Sequence, residues 1–139
     1  MVNRIIFILS LLGLFISVFL AYEYSQTDPV LCPIGGSGCE LVRQSEFSSF
    51  LGVSIPLYGV AFYVVISLFS IILSNKYIKG ISDLRVVGSF FGFAFGVYLT
   101  YAEAFLIKAY CIWCIISFII SILILYLVLF KNKKHENRN

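Results

Sequence analysis

The sequence predicts an all-α integral membrane protein, a single membrane domain over residues 1–139 folded as a four-transmembrane-helix bundle. Composition comes first: hydrophobic residues make up 60% of the chain and charged residues only 12%, against roughly 45–50% and about 25% in soluble domains. Four apolar runs, residues 5–22, 55–73, 86–107 and 111–130, each come near the ~20 residues needed to cross a ~30 Å hydrocarbon core. Basic residues, finally, gather at alternate ends of those runs, as the connections of a multi-pass protein require.

Helix one, residues 5–22, follows Arg4. A cleaved signal peptide has the same outline, but the run exceeds the roughly 7–15 residues of such an apolar region. Its end, Phe19, Leu20, Ala21 and Tyr22, also lacks small residues spaced for cleavage. Residues 23–54 form the one long loop, rich in helix-ending and turn-forming residues: Pro29, Pro33, Gly35, Gly36 and Gly38. Its second half, residues 40–51, sets Leu41, Phe47, Phe50 and Leu51 on roughly one face, with Arg43, Gln44 and Glu46 elsewhere. That pattern predicts a short amphipathic helix lying on the membrane or capping the bundle.

Pro56 suits the first turn of helix two, residues 55–73, because its missing N–H would be unpaired there anyway. Residues 75–85 read as a polar hairpin carrying Lys76, Lys79 and Arg85, and helix three covers residues 86–107. Gly88, Gly92 and Gly96 recur every fourth residue and permit close helix approach, read as packing inside the bundle rather than as a dimer face. Lys108, Ala109 and Tyr110 leave almost no loop before helix four, residues 111–130, and the charged tail 131–139 is expected to fray.

Ten basic and seven acidic residues leave a net charge of +3, too slight and too clustered to argue for nucleic-acid binding. Arg4, the 75–85 hairpin and the tail fall on one side of the bundle, whereas the long loop carries Glu23, Asp28, Glu40 and Glu46 against Arg43. The positive-inside rule then puts both termini in the cytoplasm and the loop at the extracytoplasmic face of the cell membrane. All four cysteines share that face, on elements chosen without regard to them.

Spacing divides the cysteines into a loop pair, Cys32 and Cys39, and a helix-mouth pair, Cys111 and Cys114. At a helix start the first sulfur lies near unpaired N–H groups and the positive end of the macrodipole, which favour the attacking thiolate. Cys111 is therefore the expected exchanger. Cys114, three residues on, sits roughly 4.5 Å deeper, where a hydrophobic electron carrier would meet it. The loop pair encloses three glycines and a proline, a segment able to close a disulfide and to move. The same residues also fit a structural staple, a four-cysteine zinc site, or a helix pair of inert core thiols.

Cys32 and Cys39, Ser45 six residues later, the stretch Ser54-Ile55-Pro56-Leu57-Tyr58-Gly59 opening helix two, and Cys111-Ile112-Trp113-Cys114 complete a pattern. Over nearly its whole length the chain resembles the vitamin K epoxide reductase family, specifically its stand-alone prokaryotic members. The resemblance implies a four-helix bundle enclosing a quinone, with the short loop helix as a lid. Electrons would pass from a partner dithiol to Cys32 and Cys39, by exchange between Cys39 and Cys111 to the inner pair, and from Cys114 to the quinone. Ser45 would lie close to the inner pair and support quinone binding. Animal members place an amide near the start of helix two and a tyrosine one turn after the second helix-four cysteine, where this chain has Ile55 and Phe118. That departure points away from epoxide reduction and toward ubiquinone, menaquinone or a related naphthoquinone. Many bacterial relatives carry a fused thioredoxin-like domain. Only nine residues follow Phe130 here, so the partner is expected to be a separate secreted thioredoxin-like protein, and the outcome disulfide formation in exported proteins.

Trp113 reads either as a ring stacking on the quinone or as an ordinary interfacial tryptophan. Glu103 reads as a proton relay or as a surface carboxylate within reach of Lys108, and His135 as a solvated tail residue. Two other functions fit the same residues: an enzyme of this family working mainly for quinone reduction, and a non-catalytic membrane scaffold with a structural loop disulfide.

Overall fold

A computed structural model describes residues 1–26 and 37–138; Cys32 and the first half of the long loop lie outside the described residues. Four helices carry the fold: α1 (Val2–Ser25), α3 (Ile55–Asn75), α4 (Lys79–Tyr101, continuing through a π-helical turn over Ala102–Ile107) and α5 (Ile112–Glu136). Each is long and apolar enough to cross a membrane. The packing runs round a ring, α1 on α3, α3 on α4, α4 on α5 and α5 back on α1. Phe15, Phe90 and Tyr126 stand on the outside, each well exposed, as lipid-facing side chains should. The chain is an all-α multi-pass membrane protein.

The helices outrun their apolar stretches. α4 starts at Lys79, so the expected hairpin over 75–85 shrinks to residues 76–78. α5 continues through the basic segment to Glu136 instead of fraying after 130. Lysine and glutamate are good helix formers, and Lys133, Lys134 and His135 sit in the last turn, where cations favour the helix dipole. His135 is not free in solvent: its ring stacks on Tyr77 at 3.7 Å and 8°. Arg85, expected in an exposed hairpin, is fully buried. Its Nη1 donates to Asn3 Oδ1 at 3.2 Å, and Lys131 Nζ donates to the same oxygen. Asn3 Nδ2 in turn donates to Leu73 O at 2.8 Å, so one amide side chain ties together the near ends of all four long helices.

At the other end the loop does not form one amphipathic helix over 40–51. α2 (Gly38–Gln44) ends at Ser45, whose backbone is extended, and a 3-10 turn (Glu46–Ser48) follows. A two-residue hairpin, β1 (Ser49–Phe50) with β2 (Val53–Ser54), then pairs Ser49 with Ser54 and Phe50 with Val53. Its turn needs φ of 52° at Leu51 and 79° at Gly52, the left-handed geometry that matches the twist of a tight hairpin. Tyr58 fastens the hairpin to α3 by donating to Phe50 O at 2.9 Å.

Between the two ends, Ile6, Tyr63, Ile66, Ile120, Ile124 and Val128 form the buried core. The glycines of α4 act inside the bundle: a Cβ on Gly92 would overlap the Phe62 ring, and one on Gly96 the Phe118 ring.

Candidate active site at the dithiol

The site is built where α4 hands the chain to α5. Lys108 adopts φ 55°, ψ 32°, a left-handed conformation that reverses the chain at once. Glu103 holds the return segment twice: its carbonyl accepts from Ala109 N–H at 3.2 Å, and its Oε2 accepts from Cys111 N–H at 3.3 Å. The expected surface role beside Lys108 is wrong, because Glu103 is 4% exposed and faces the dithiol.

Cys111 is the N-cap of α5 and Cys114 lies in its first turn; both are free thiols. The two face different surroundings. Cys111 is fully buried in a cluster with Cys39, Val42 and Ala109. Cys39 sits at the start of α2 and is disulfide-bonded. Gly38 brings α2 this close, since a Cβ there would overlap Tyr110 O.

Cys114, by contrast, lines a partly open cavity of about 670 Å³ among the four long helices, bordered by Val42, Phe47, Ser48 and Phe50. Its walls are almost wholly apolar, including Leu20, Phe62, Phe91, Phe95 and Phe118. Polar groups are few. Tyr63 Oη donates to Ser117 O at 2.9 Å; among the described residues Ser121 Oγ is buried without a hydrogen-bond partner, and Glu103 is the one carboxylate in the lining. Such a volume, apolar with sparse polar groups, falls within the roughly 300–1,000 Å³ of small-molecule sites.

Electrostatics favour Cys111 as the ionised sulfur. The hydrogen bond from the Cys114 thiol, joined by the backbone N–H groups of Cys114 and Trp113, holds the Cys111 thiol below its ordinary value. Burial and the nearby Glu103 charge oppose that effect without reversing it.

Of the residues expected to meet a cofactor, Cys114, Ile55 and Phe118 line the cavity. Ser45 and Trp113 are not in its lining. Ser45 Oγ donates to Val42 O at 2.7 Å, closing the end of α2, and Trp113 packs on Phe19 with ring centroids 5.2 Å apart. Cys32 falls outside the described residues. Ser48, in the 3-10 turn, lines the cavity and was not singled out by sequence; its neighbour Phe47, read only as part of the apolar face of the loop helix, lines it too. Tyr24, at the end of helix one, was missed too, because an aromatic there reads as an interfacial anchor.

A multi-pass helical bundle holding a buried dithiol between a disulfide-bonded cysteine and an apolar cavity is, by class, a membrane oxidoreductase. A family model narrows the class: the vitamin K epoxide reductase family matches residues 4–129, nearly the whole chain, and the protein belongs to that family. No curated protein matches the chain.

Proposed function

We propose that this protein is a quinone-linked thiol oxidase that takes electrons from a separate, secreted thioredoxin-like protein and so supports disulfide formation in exported proteins. The observation that carries the reading is the division of labour within the dithiol, with Cys111 packed beside Cys39 and Cys114 opening into the apolar cavity.

In this reading the partner's dithiol reduces a loop disulfide between Cys32 and Cys39. The freed Cys39 thiolate attacks the Cys111 sulfur of an inner disulfide, Cys32 resolves the mixed disulfide, and the inner pair is left as dithiol. A disulfide-bonded Cys39 beside free Cys111 and Cys114 is the state that follows this transfer. The low Cys111 pKa supports it, because a stabilised thiolate is the better leaving group in exchange. A quinone in the cavity would supply the electron acceptor, and Phe62, Phe95 and Phe118 in the walls would suit its flat apolar ring. Ubiquinone, menaquinone and a vitamin K-like naphthoquinone share the ring and apolar tail that such walls suit. In this reading both termini lie in the cytoplasm and the cysteines at the outer face, the orientation that the loop charges favour.

The test is a secreted reporter that needs a disulfide. Cys111→Ala and Cys114→Ala should each abolish its oxidation while the protein still inserts; reporter oxidation at the wild-type rate in either variant would sink the mechanism.

A further inference from the structure

Quinone reduction consumes protons, and the cavity offers few groups to carry them. Glu103 is 4% exposed, and among the described residues no Lys, Arg or His forms an ion pair with it. Its carboxyl group is tied to the dithiol instead. Oε2 accepts the Cys111 N–H at 3.3 Å, and the carboxylate lies within hydrogen-bonding reach of the Cys114 sulfur, as the alternative to Cys111 as acceptor for its one thiol proton. The same side chain lines the cavity. It therefore touches both the atom that gives up a proton and the space where one is needed. The backbone carrying it is unusual too: Ala102–Ile107 is a π-helical turn, a rare geometry that recurs at functional positions. A carboxyl group with no ion-pair partner among the described residues is costly to keep in apolar surroundings.

We propose that Glu103 is the proton relay of the inner pair, taking the Cys114 proton as the disulfide forms and delivering it to a quinone oxygen in the cavity. The inference rests on the quinone reading above. In the step, a bond forms between Cys111 and Cys114 sulfurs, and two electrons leave them for the quinone. The Cys114 proton passes to Glu103 and on to one quinone oxygen. The Cys111 proton, released as that thiol ionises, reaches the second oxygen through the same carboxylate once it has been emptied. The dithiol has then lost two electrons and two protons, and the product is the quinol.

The experiment uses the full chain in detergent, pre-reduced, mixed with a short-chain ubiquinone or menaquinone analogue across a range of pH. Wild type, Glu103→Gln and Glu103→Asp are compared for quinone reduction and, without quinone, for the pH profile of Cys114 alkylation. Glu103→Gln should slow quinone reduction by about 10²-fold, the scale of a lost general acid–base group. It should also remove a limb of the pH–rate profile and move the Cys114 alkylation profile, and Glu103→Asp should restore part of the rate. A Gln variant within about threefold of wild type, or one that is slow with both pH profiles unchanged, overturns the relay, the second result marking a purely structural residue. Should Glu103→Gln fail to fold, the Asp variant decides: a displaced pH limb supports the relay and an unmoved one overturns it. Wild-type protein that reduces neither quinone overturns the functional reading itself, and the relay with it.

Discussion

Gly38 sits against the carbonyl oxygen of Tyr110 so closely that a single added methyl group would overlap it. Tyr110 precedes Cys111 and Gly38 precedes Cys39, so this one backbone contact sets the approach of the outer cysteine to the inner dithiol. Gly38→Ala must push α2 away, and a misplacement of about 1 Å can cost on the order of 10²-fold in a positioned reaction. We predict that the variant loses at least tenfold in Cys39-to-Cys111 exchange, followed by trapping the mixed disulfide. The chemically reduced inner pair should still react with quinone at the wild-type rate. Equal loss in both steps would show that Gly38 matters to folding and not to docking of the lid.

Cys111 is held below the ordinary thiol value, so its thiolate persists to lower pH than a free cysteine's. Alkylation of Cys111 in a Cys114→Ala background removes the largest cause of that shift and should move the midpoint upward. In the intact dithiol the midpoint should lie below the usual ~8.5. The Glu103 charge acts in the opposite sense on Cys111, so Glu103→Gln should move the midpoint lower still. Mass-resolved alkylation across pH reads all three, and a wild-type midpoint at or above the free-cysteine value would contradict the assignment of Cys111 as exchanger.

Phe62 and Phe118 lie over Gly92 and Gly96, and both rings form cavity wall. Gly96→Ala forces the Phe118 ring to move, an overpacking that typically costs about 1–3 kcal/mol. Thermal unfolding in detergent should show the loss of stability, and KM for the quinone should rise more than kcat falls, since the change reshapes walls and leaves the sulfurs alone. Unchanged KM would place the quinone elsewhere.

Asn3 makes a different prediction, about the end of the bundle remote from the chemistry. Its amide serves Leu73 O, Arg85 and Lys131 together. Asn3→Leu leaves Arg85 buried without its acceptor, and a buried polar group stranded in this way costs about 1–3 kcal/mol, more when charged. The variant should melt earlier yet keep its per-molecule activity. An unchanged melting temperature would mean that lipid or water replaces the amide.

How much of this was legible follows from which signals hydropathy and spacing carry. Four apolar runs announced the four helices, and Cys111 three residues before Cys114 announced two sulfurs in different surroundings, though not that Cys111 would be fully buried. Helix ends were not legible: Lys79, Ser82 and Lys133 are polar but helix-compatible, and hydropathy marks where lipid ends, not where a helix does. Arg85 looked like a loop cation because its side-chain acceptor, Asn3, is 82 residues away in the chain. The lid failed as one helix because Ser45 is extended and Leu51 and Gly52 take positive φ, choices that apolar periodicity does not register. Glu103 was visible as a carboxylate near a helix end, but its inward direction depends on the π-helical turn and the left-handed Lys108, which only the fold reveals.

Single-turnover reduction of a ubiquinone or menaquinone analogue by pre-reduced protein in detergent tests the electron path most directly. Wild type should convert quinone to quinol in step with the loss of free Cys111 and Cys114 thiols, and Cys114→Ala should convert none. Folded wild-type protein that leaves both quinones oxidised, or a Cys114→Ala variant that reduces them as fast, would contradict a path that ends at Cys114.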